Sequence, residues 1–496
     1  MKHVLAIDIG SSSARLIVYR YADGALTALR ALSAAYAFRT GADGASEIEA
    51  EFLRELIEGL LDALLQQTAL PRLDAVGMAT FVGNLLGVDA DGRACTPIYT
   101  YADTRCAAQV ELLRAELGEA GLRDSHRRVG CMLHTAYHAP KLLWLQQQGV
   151  RAAQWTDLAT YLYRAWFKGV DVPCSYSVAS WSGIFNGVAL TWDSQWLERL
   201  GMTVAQLPSL ADYTAAQRNL APEYAARWSA LREAPFFLAV GDGAAANIGS
   251  GAAAHGAAAL TIGTTAALRV ISNASEPEVP FGLWRYRIDR RHHLIGGATS
   301  EGGNVFQWAR QTLQLPDWQT LERLLSERAA DAHGLTFLPM LAGERAPHWN
   351  PSALGTLHGV RLSTTGVDVL QAALEGVALR LAAIARLLKL PSRPIWAGGG
   401  ALGASKAWAQ IVADALNVPL RLVAEEEPTA RGVAILALAA LGAAGLTDLP
   451  PKVETTLTPR AERASALQQA AERQAALYQA LYGNKNSPAG AALDRS

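Results

Sequence analysis

Four residues, Val4 to Ile7, form an uninterrupted apolar run that ends in Asp8, Ile9, Gly10 and three serines before apolar character resumes at Leu16 to Tyr19. Apolar run, small polar cluster, apolar run predicts a hairpin whose tip offers hydroxyls and backbone N–H groups. Phe52, Leu53, Ile57, Leu60, Leu61 and Leu64 fall at helical intervals within residues 51–66, and Ala75 to Ala79 reads as the next strand. Helical and strand patterns alternate from there on, so the class is α/β.

The pattern recurs in the middle of the chain. Val240 to Gly243 is turn-rich, a small-residue stretch follows, and Leu260 to Thr265 ends in Gly263, Thr264 and Thr265. Residues 243–268 carry no formal charge, yet Ser, Asn, His and Thr make them too polar for a lipid-spanning helix. A helix packed closely on a sheet, followed by a second hairpin, fits this stretch. One such hairpin near the start of each half predicts two related domains, 1–250 and 251–482. A third glycine cluster, Ile395 to Ala401, precedes the helical pattern of Trp408, Ile411, Val412, Ala415 and Leu416. Strand into glycine turn into helix is where backbone approaches a ligand closely. The tail 483–496 has little to bury and is expected to be disordered.

Composition narrows the class of partner. With 50% hydrophobic and 18% charged residues among 496, the chain should fold into ordinary globular domains. Its 44 basic and 45 acidic residues leave a charge of −1, which steers it towards neither nucleic acid nor anionic lipid and favours a small-molecule partner. Gly432 to Leu446, the longest apolar uncharged stretch, is shorter than the ~20 residues of a membrane span. No secretory leader pattern opens the chain, so the cytoplasm is the default location. Cys95, Cys106, Cys131 and Cys174 lack CxxC spacing and read as buried thiols.

Several residue groups could carry chemistry. Asp8, Gly10 and the serines are either a solvated strand turn or a cradle for phosphate oxygens with a carboxylate that orients hydrated Mg²⁺. The same two readings apply to Gly263, Thr264 and Thr265. Neither cluster matches a GxxxxGK[ST] loop or a GxGxxG loop. Asp242, among small and apolar residues, is either a catalytic carboxylate or a helix N-cap. His134 and His138 are four apart but have no third metal ligand nearby in sequence. Gly343, Glu344 and Arg345 form a proline-punctuated loop with an ion pair, and Asp103 and Arg105 are either a surface salt bridge or a polyol-binding pair.

Together these pieces resemble the FGGY family of carbohydrate kinases over nearly the whole chain. The resemblance rests on DIGSSSAR (Asp8 to Arg15), LTIGTT (Leu260 to Thr265), FLPMLAGERAPHWNP (Phe337 to Pro351), GTLHGVRLSTTGVDVLQAALE (Gly355 to Glu375), AGGGALGASKAWAQIVAD (Ala397 to Asp414) and EPTARGVAILA (Glu427 to Ala437), in the family's order. It implies a two-domain actin/hexokinase-like (ribonuclease H-like) fold with ATP and sugar meeting in the cleft. By similarity Asp242 is the general base and Asp8 positions Mg²⁺. Gly10, Ser11, Ser12, Arg15, Gly263, Thr264 and Thr265 would line the phosphates, and Gly399, Gly400 and Ala401 would back the adenosine.

YSVASWSG (Tyr176 to Gly183) and GDGAAANIG (Gly241 to Gly249) are most similar to the gluconate kinase branch, with xylulose kinases second. Xylulose kinases usually follow the catalytic Asp with Asn or Gln, where this chain has Gly243. Both branches place a Met-His pair in the strand turn that touches the sugar, where this chain has Phe81, Val82, Gly83 and Asn84. The resemblance then leaves Asn84, Asp103, Arg105, His134 and Asp242 to bind an open-chain sugar or sugar acid. Arg105 is the candidate to hold a carboxylate through two parallel bonds. The expected enzyme uses ATP and Mg²⁺, with gluconate ahead of xylulose or ribulose and a homodimer as the candidate assembly. A sugar or nucleotide sensor of the same fold and an actin-like assembling protein are the rivals.

Overall fold

The computed structural model describes residues 1–68, 72–168 and 171–483, and its first apolar run forms the strand Lys2–Ile9, turns through residues 10–12 and returns as Ser13–Ala22. The pair is antiparallel, with Asp8 opposite Arg15. On its other edge Lys2–Ile9 runs parallel to Ala75–Thr80. Val4, Leu5, Ala6 and Ile7 are all inaccessible, because a central strand covered on both faces has no side left for polar residues. Ala50–Gln66 is the expected helix; it buries Leu53, Ile57, Leu61 and Leu64 but turns Phe52 to solvent.

The second half repeats this arrangement. Ala258–Ile262 pairs antiparallel with Ala266–Ser272 and parallel with Ile395–Gly398. Each hairpin thus lies inside a seven-stranded sheet, with a parallel neighbour beyond its first strand. In the second sheet the order continues outwards through Leu420–Val423 to Val453–Leu457, and on the other side through His293–Thr299 to Trp284–Arg287. The helix Gly366–Leu387, capped by Thr365 and Asp368, supplies much of the apolar cover of this sheet.

One helix departs from the expected division at residue 250. Pro428–Ala440 is buried without a break from Ala430 to Leu438 and packs into the first core, on the strands Lys2–Ile9 and Ala75–Thr80 and the helix Asp242–Gly249. Glycines permit the approach. A Cβ on Gly249 would stand 1.8 Å from the Pro428 carbonyl oxygen, and one on Gly432 would stand 1.9 Å from that of Ala245. The apolar stretch at 432–446 is therefore core as far as Leu438, and among the described residues no helix is long and apolar enough to cross a membrane. Cys106, Cys131 and Cys174 are buried, whereas Cys95 is exposed, unlike the expectation for all four. The tail expected to be disordered lies, beyond Gly483, outside the described residues.

Candidate active site

The short strand Val240–Gly241 runs parallel to Ala75–Thr80 and passes directly into the helix Asp242–Gly249. Asp242 is the first helical residue, not the cap; Gly241 holds that position. The carboxylate accepts the Gly243 N–H at 2.7 Å and faces a cavity of about 310 Å³. Burial pushes its pKa up to about 6, opposed by the Gly243 N–H and the Arg269 charge. Asp8, at the end of the first strand and 2% exposed, is raised to about 7 by burial and then by the charge of Asp242, with Arg15 pulling the other way. The Arg15 guanidinium stands 3.6 Å from Asp8 and 3.2 Å from Glu427, so it bridges two carboxylates at the mouth of the turn.

The two hairpin turns are built alike. Gly10 N–H donates to the Ser13 carbonyl and Gly263 N–H to that of Thr265, both at 2.9 Å. Ser11 and Thr265, one from each turn, line the cavity that holds Asp242. Gly263 and Thr264 line a second cavity of about 620 Å³, whose walls include Gly400, Ala401, Phe306 and Trp318. Consecutive residues of one turn therefore face two cavities. Gly399 adopts a φ of +103° where its α-carbon passes the Ile262 backbone, and a Cβ there would lie 2.5 Å from the Ile262 oxygen. Ser12 is exposed at the tip of the first turn, where its carbonyl accepts the Tyr36 N–H at 3.0 Å.

Four expected sugar contacts are occupied elsewhere. Asp103, 1% exposed, accepts the Ser46 N–H at 3.1 Å and the Arg105 guanidinium at 2.5 Å. Arg105 also pairs with Glu47 and lies 4.7 Å over the Trp144 ring, so its fork already holds two carboxylates of the protein. Asn84 donates to the Phe81 carbonyl and accepts the Leu158 N–H at 2.8 Å, which fixes a loop behind the cavity. The His134 Nδ1 accepts the Ala136 N–H at 3.1 Å while its ring edge meets Trp349, and burial lowers its pKa to about 3, keeping it neutral. His138 is turned to the Asn84 carbonyl, so the two histidines share no ligand position.

The cavity instead takes its polar character from residues the sequence reading passed over. Arg269 and Arg345 line it, as do Trp181, Trp284 and Tyr286; Tyr286 stacks on Trp181 at 3.5 Å between centroids and on Trp284 at 4.6 Å. Val82 and Gly83 contribute the apolar surface expected there. Arg269 had a signal in sequence: it is the first charge after the uncharged run 243–268, two residues beyond Ala267 on a strand of period two. Arg345 had been assigned to an ion pair with its neighbour, but Glu344 bonds Arg380, His348 and Tyr478 instead.

Two sheet-centred lobes with matching hairpin turns, and a carboxylate where the turns converge, define a phosphotransferase architecture. Residues 3–249 match the N-terminal domain and residues 258–441 the C-terminal domain of the FGGY family of carbohydrate kinases. The chain belongs to that family, and is a sugar kinase that takes its phosphoryl group from ATP. It is similar to a gluconokinase of Bacillus subtilis (strain 168), 26% identical over 459 residues that cover 89% of this chain and 88% of that one. Among solved structures, a gluconate kinase from Lactobacillus acidophilus superimposes with a TM-score of 0.90 at 26% identity, covering 97% of this chain and 99% of that one. A ligand-bound xylulose kinase from the same organism gives the same TM-score and identity over 98% and 99%. The fold is the two-domain actin/hexokinase-like one.

Proposed function

We propose that the protein phosphorylates an open-chain sugar or sugar acid in the cytoplasm, with gluconate as the favoured acceptor and xylulose or ribulose as the second reading. The observation that carries it is the division of labour at the second turn, where Thr264 faces the larger cavity and Thr265 the cavity of Asp242. A nucleotide in the former would pass its terminal phosphate across that turn to an acceptor in the latter. In this reading residues 1–250, with the returning helix, carry the acceptor and residues 251–482 carry the nucleotide, backed by Gly399, Gly400 and Ala401.

Asp242 takes the proton of the attacking hydroxyl, and a positioned base of this kind contributes about 10² to 10⁴ in rate. Ser11, Thr264 and Thr265 hold phosphate oxygens through hydroxyls and N–H groups, with the Gly263 backbone lining the phosphates. The donor set suits Mg²⁺: Asp8 is a buried carboxylate raised by a second carboxylate nearby, an oxygen-rich, electron-rich locus that a hard cation relieves. Bound there with the nucleotide, Mg²⁺ neutralises charge on the phosphates. Gluconate leads because the chain is similar to gluconokinases from two Bacillus species over 89% of its length. The test is Mg·ATP turnover with gluconate, xylulose, ribulose and glycerol as separate acceptors. Turnover highest with gluconate is expected, and a xylulose or ribulose kcat/KM at least tenfold above it overturns the gluconate reading.

A further inference from the structure

The cavity beside Asp242 holds more positive charge than the protein neutralises. Arg269 reaches it from the strand Ala266–Ser272, whose residues Ala267 and Arg269 share one face with Thr265. Among the described residues its Nε has no hydrogen-bond partner, and its side chain makes one long polar contact, 3.4 Å from Nη1 to the Thr261 hydroxyl. The Arg345 side chain has neither hydrogen bond nor ion pair among the described residues, since Glu344 is engaged by Arg380, His348 and Tyr478. Trp181 Nε1 and Trp284 Nε1, on the same wall, are also buried donors without partners. Among the described residues, every unpartnered buried group that lines this cavity is a donor. Two guanidiniums face one carboxylate, Asp242, which lies beyond ion-pair distance of both.

Gly243 makes room for this. A Cβ there would stand 3.1 Å from the Trp181 ring and 3.6 Å from Arg269 Nε, so the absent side chain leaves space that the indole and guanidinium fill. Arg269 is also four residues along the strand from Thr265, about 13 Å of extended backbone from the phosphate-facing turn. That offset favours the acceptor over the nucleotide phosphates as the source of the matching anion.

We propose that Arg269, aided by Arg345, binds the carboxylate of the acceptor and sets the preference of this enzyme for a sugar acid over neutral polyols and ketoses. The inference rests on the acceptor reading of this cavity and names the residues that select within it. Guanidinium is suited to the task because it stays charged and meets a carboxylate with two parallel donors.

The test compares gluconate with glucitol, its neutral counterpart in which a hydroxymethyl group replaces the carboxylate. Two readouts are used: kcat/KM with Mg·ATP, and Kd without nucleotide from isothermal titration calorimetry or from the change in total tryptophan fluorescence, to which Trp181 and Trp284 on the cavity wall contribute. Arg269→Gln is expected to cut the gluconate-to-glucitol ratio about 10- to 100-fold in both readouts, and Arg345→Gln to cut it less. Arg269→Lys, which keeps the charge but not the fork, should fall between wild type and Arg269→Gln. An equal loss for both acceptors overturns the proposal, because it assigns Arg269 to the transferred phosphoryl group or to Asp242. So does a wild-type protein that binds gluconate no more tightly than glucitol. If no acceptor is phosphorylated, the kinase-substrate reading fails while the Kd ratio still decides the carboxylate question. If Arg269→Gln does not fold, Arg269→Lys and Arg345→Gln carry the ratio, and an unchanged ratio in both overturns the proposal.

Discussion

Asp242 and Asp8 both sit above the ordinary carboxylate range, for related reasons and with opposite uses. As the proposed base, Asp242 would have to be ionised to accept a proton, and its pKa of about 6 would make the active form disappear as pH falls through that value. The expected result is a kcat/KM that declines about tenfold per unit below pH 6 and, in Asp242→Asn, turnover at least about 10²-fold lower with that acid limb gone. A variant that keeps the limb would place the base elsewhere. Asp8 binds its proton more tightly in the folded state, with about 7 against an ordinary 3.8, so its contribution to stability is full at low pH and is lost as pH rises through that window. Above pH 7 and without metal, the ionised group destabilises the fold. Asp8→Asn should therefore raise the metal-free Tm at pH 8 by about 2–4 °C while lowering activity, and the gain should be clearly smaller at pH 5, inside the window between the two values. A calorimetric scan at the two pH values checks it. The sequence made both carboxylates legible because each is isolated among small or apolar neighbours. It did not show the pairing of Arg105 with Glu47, which is 58 positions away and comes near through the pairing of Ser46–Ile48 with Ile98–Tyr99.

Hairpins and helices with one clear period were readable from the chain: Lys2–Ile9 with its turn, Ala50–Gln66, and the glycine-led helix after Ile395–Gly398. What periodicity could not give was the destination of Pro428–Ala440, because a helix apolar on every side carries no record of which core receives it. The glycines are the trace of that packing. Gly432→Ala places a methyl against backbone that cannot rotate aside, and should cost about 3 kcal/mol or more and displace the helix that carries Asp242. Gly59→Ala, in the helix Ala50–Gln66 with open space around the added carbon, should instead stabilise by up to about 1 kcal/mol. Thermal unfolding of the two variants separates close packing from simple helix propensity. Similar shifts in the same direction would refute the helix-contact argument.

At the scale of the whole molecule, Ser11 and Asp242 come from the first half and Thr265, Arg269 and Arg345 from the second, so an acceptor bound in this cavity would touch both. Gluconate with a non-hydrolysable ATP analogue should draw the lobes together and reduce the radius of gyration in small-angle scattering; an unchanged radius argues against closure. The returning helix also sets an order in time. Lys2–Ile9 leaves the ribosome more than four hundred residues ahead of Pro428–Ala440, which covers it. At ordinary rates of synthesis that interval is roughly 20 to 80 s. Throughout it the apolar face of the first sheet waits without its lid, and no folding of residues 1–250 alone can supply one. The nascent chain should therefore depend on chaperones for longer than its domain sizes suggest. A chain ending at residue 427 should collect in the insoluble fraction, however complete its sugar-binding residues are; recovery of that chain as a soluble, cooperatively melting protein would mean that the first core closes without its last helix.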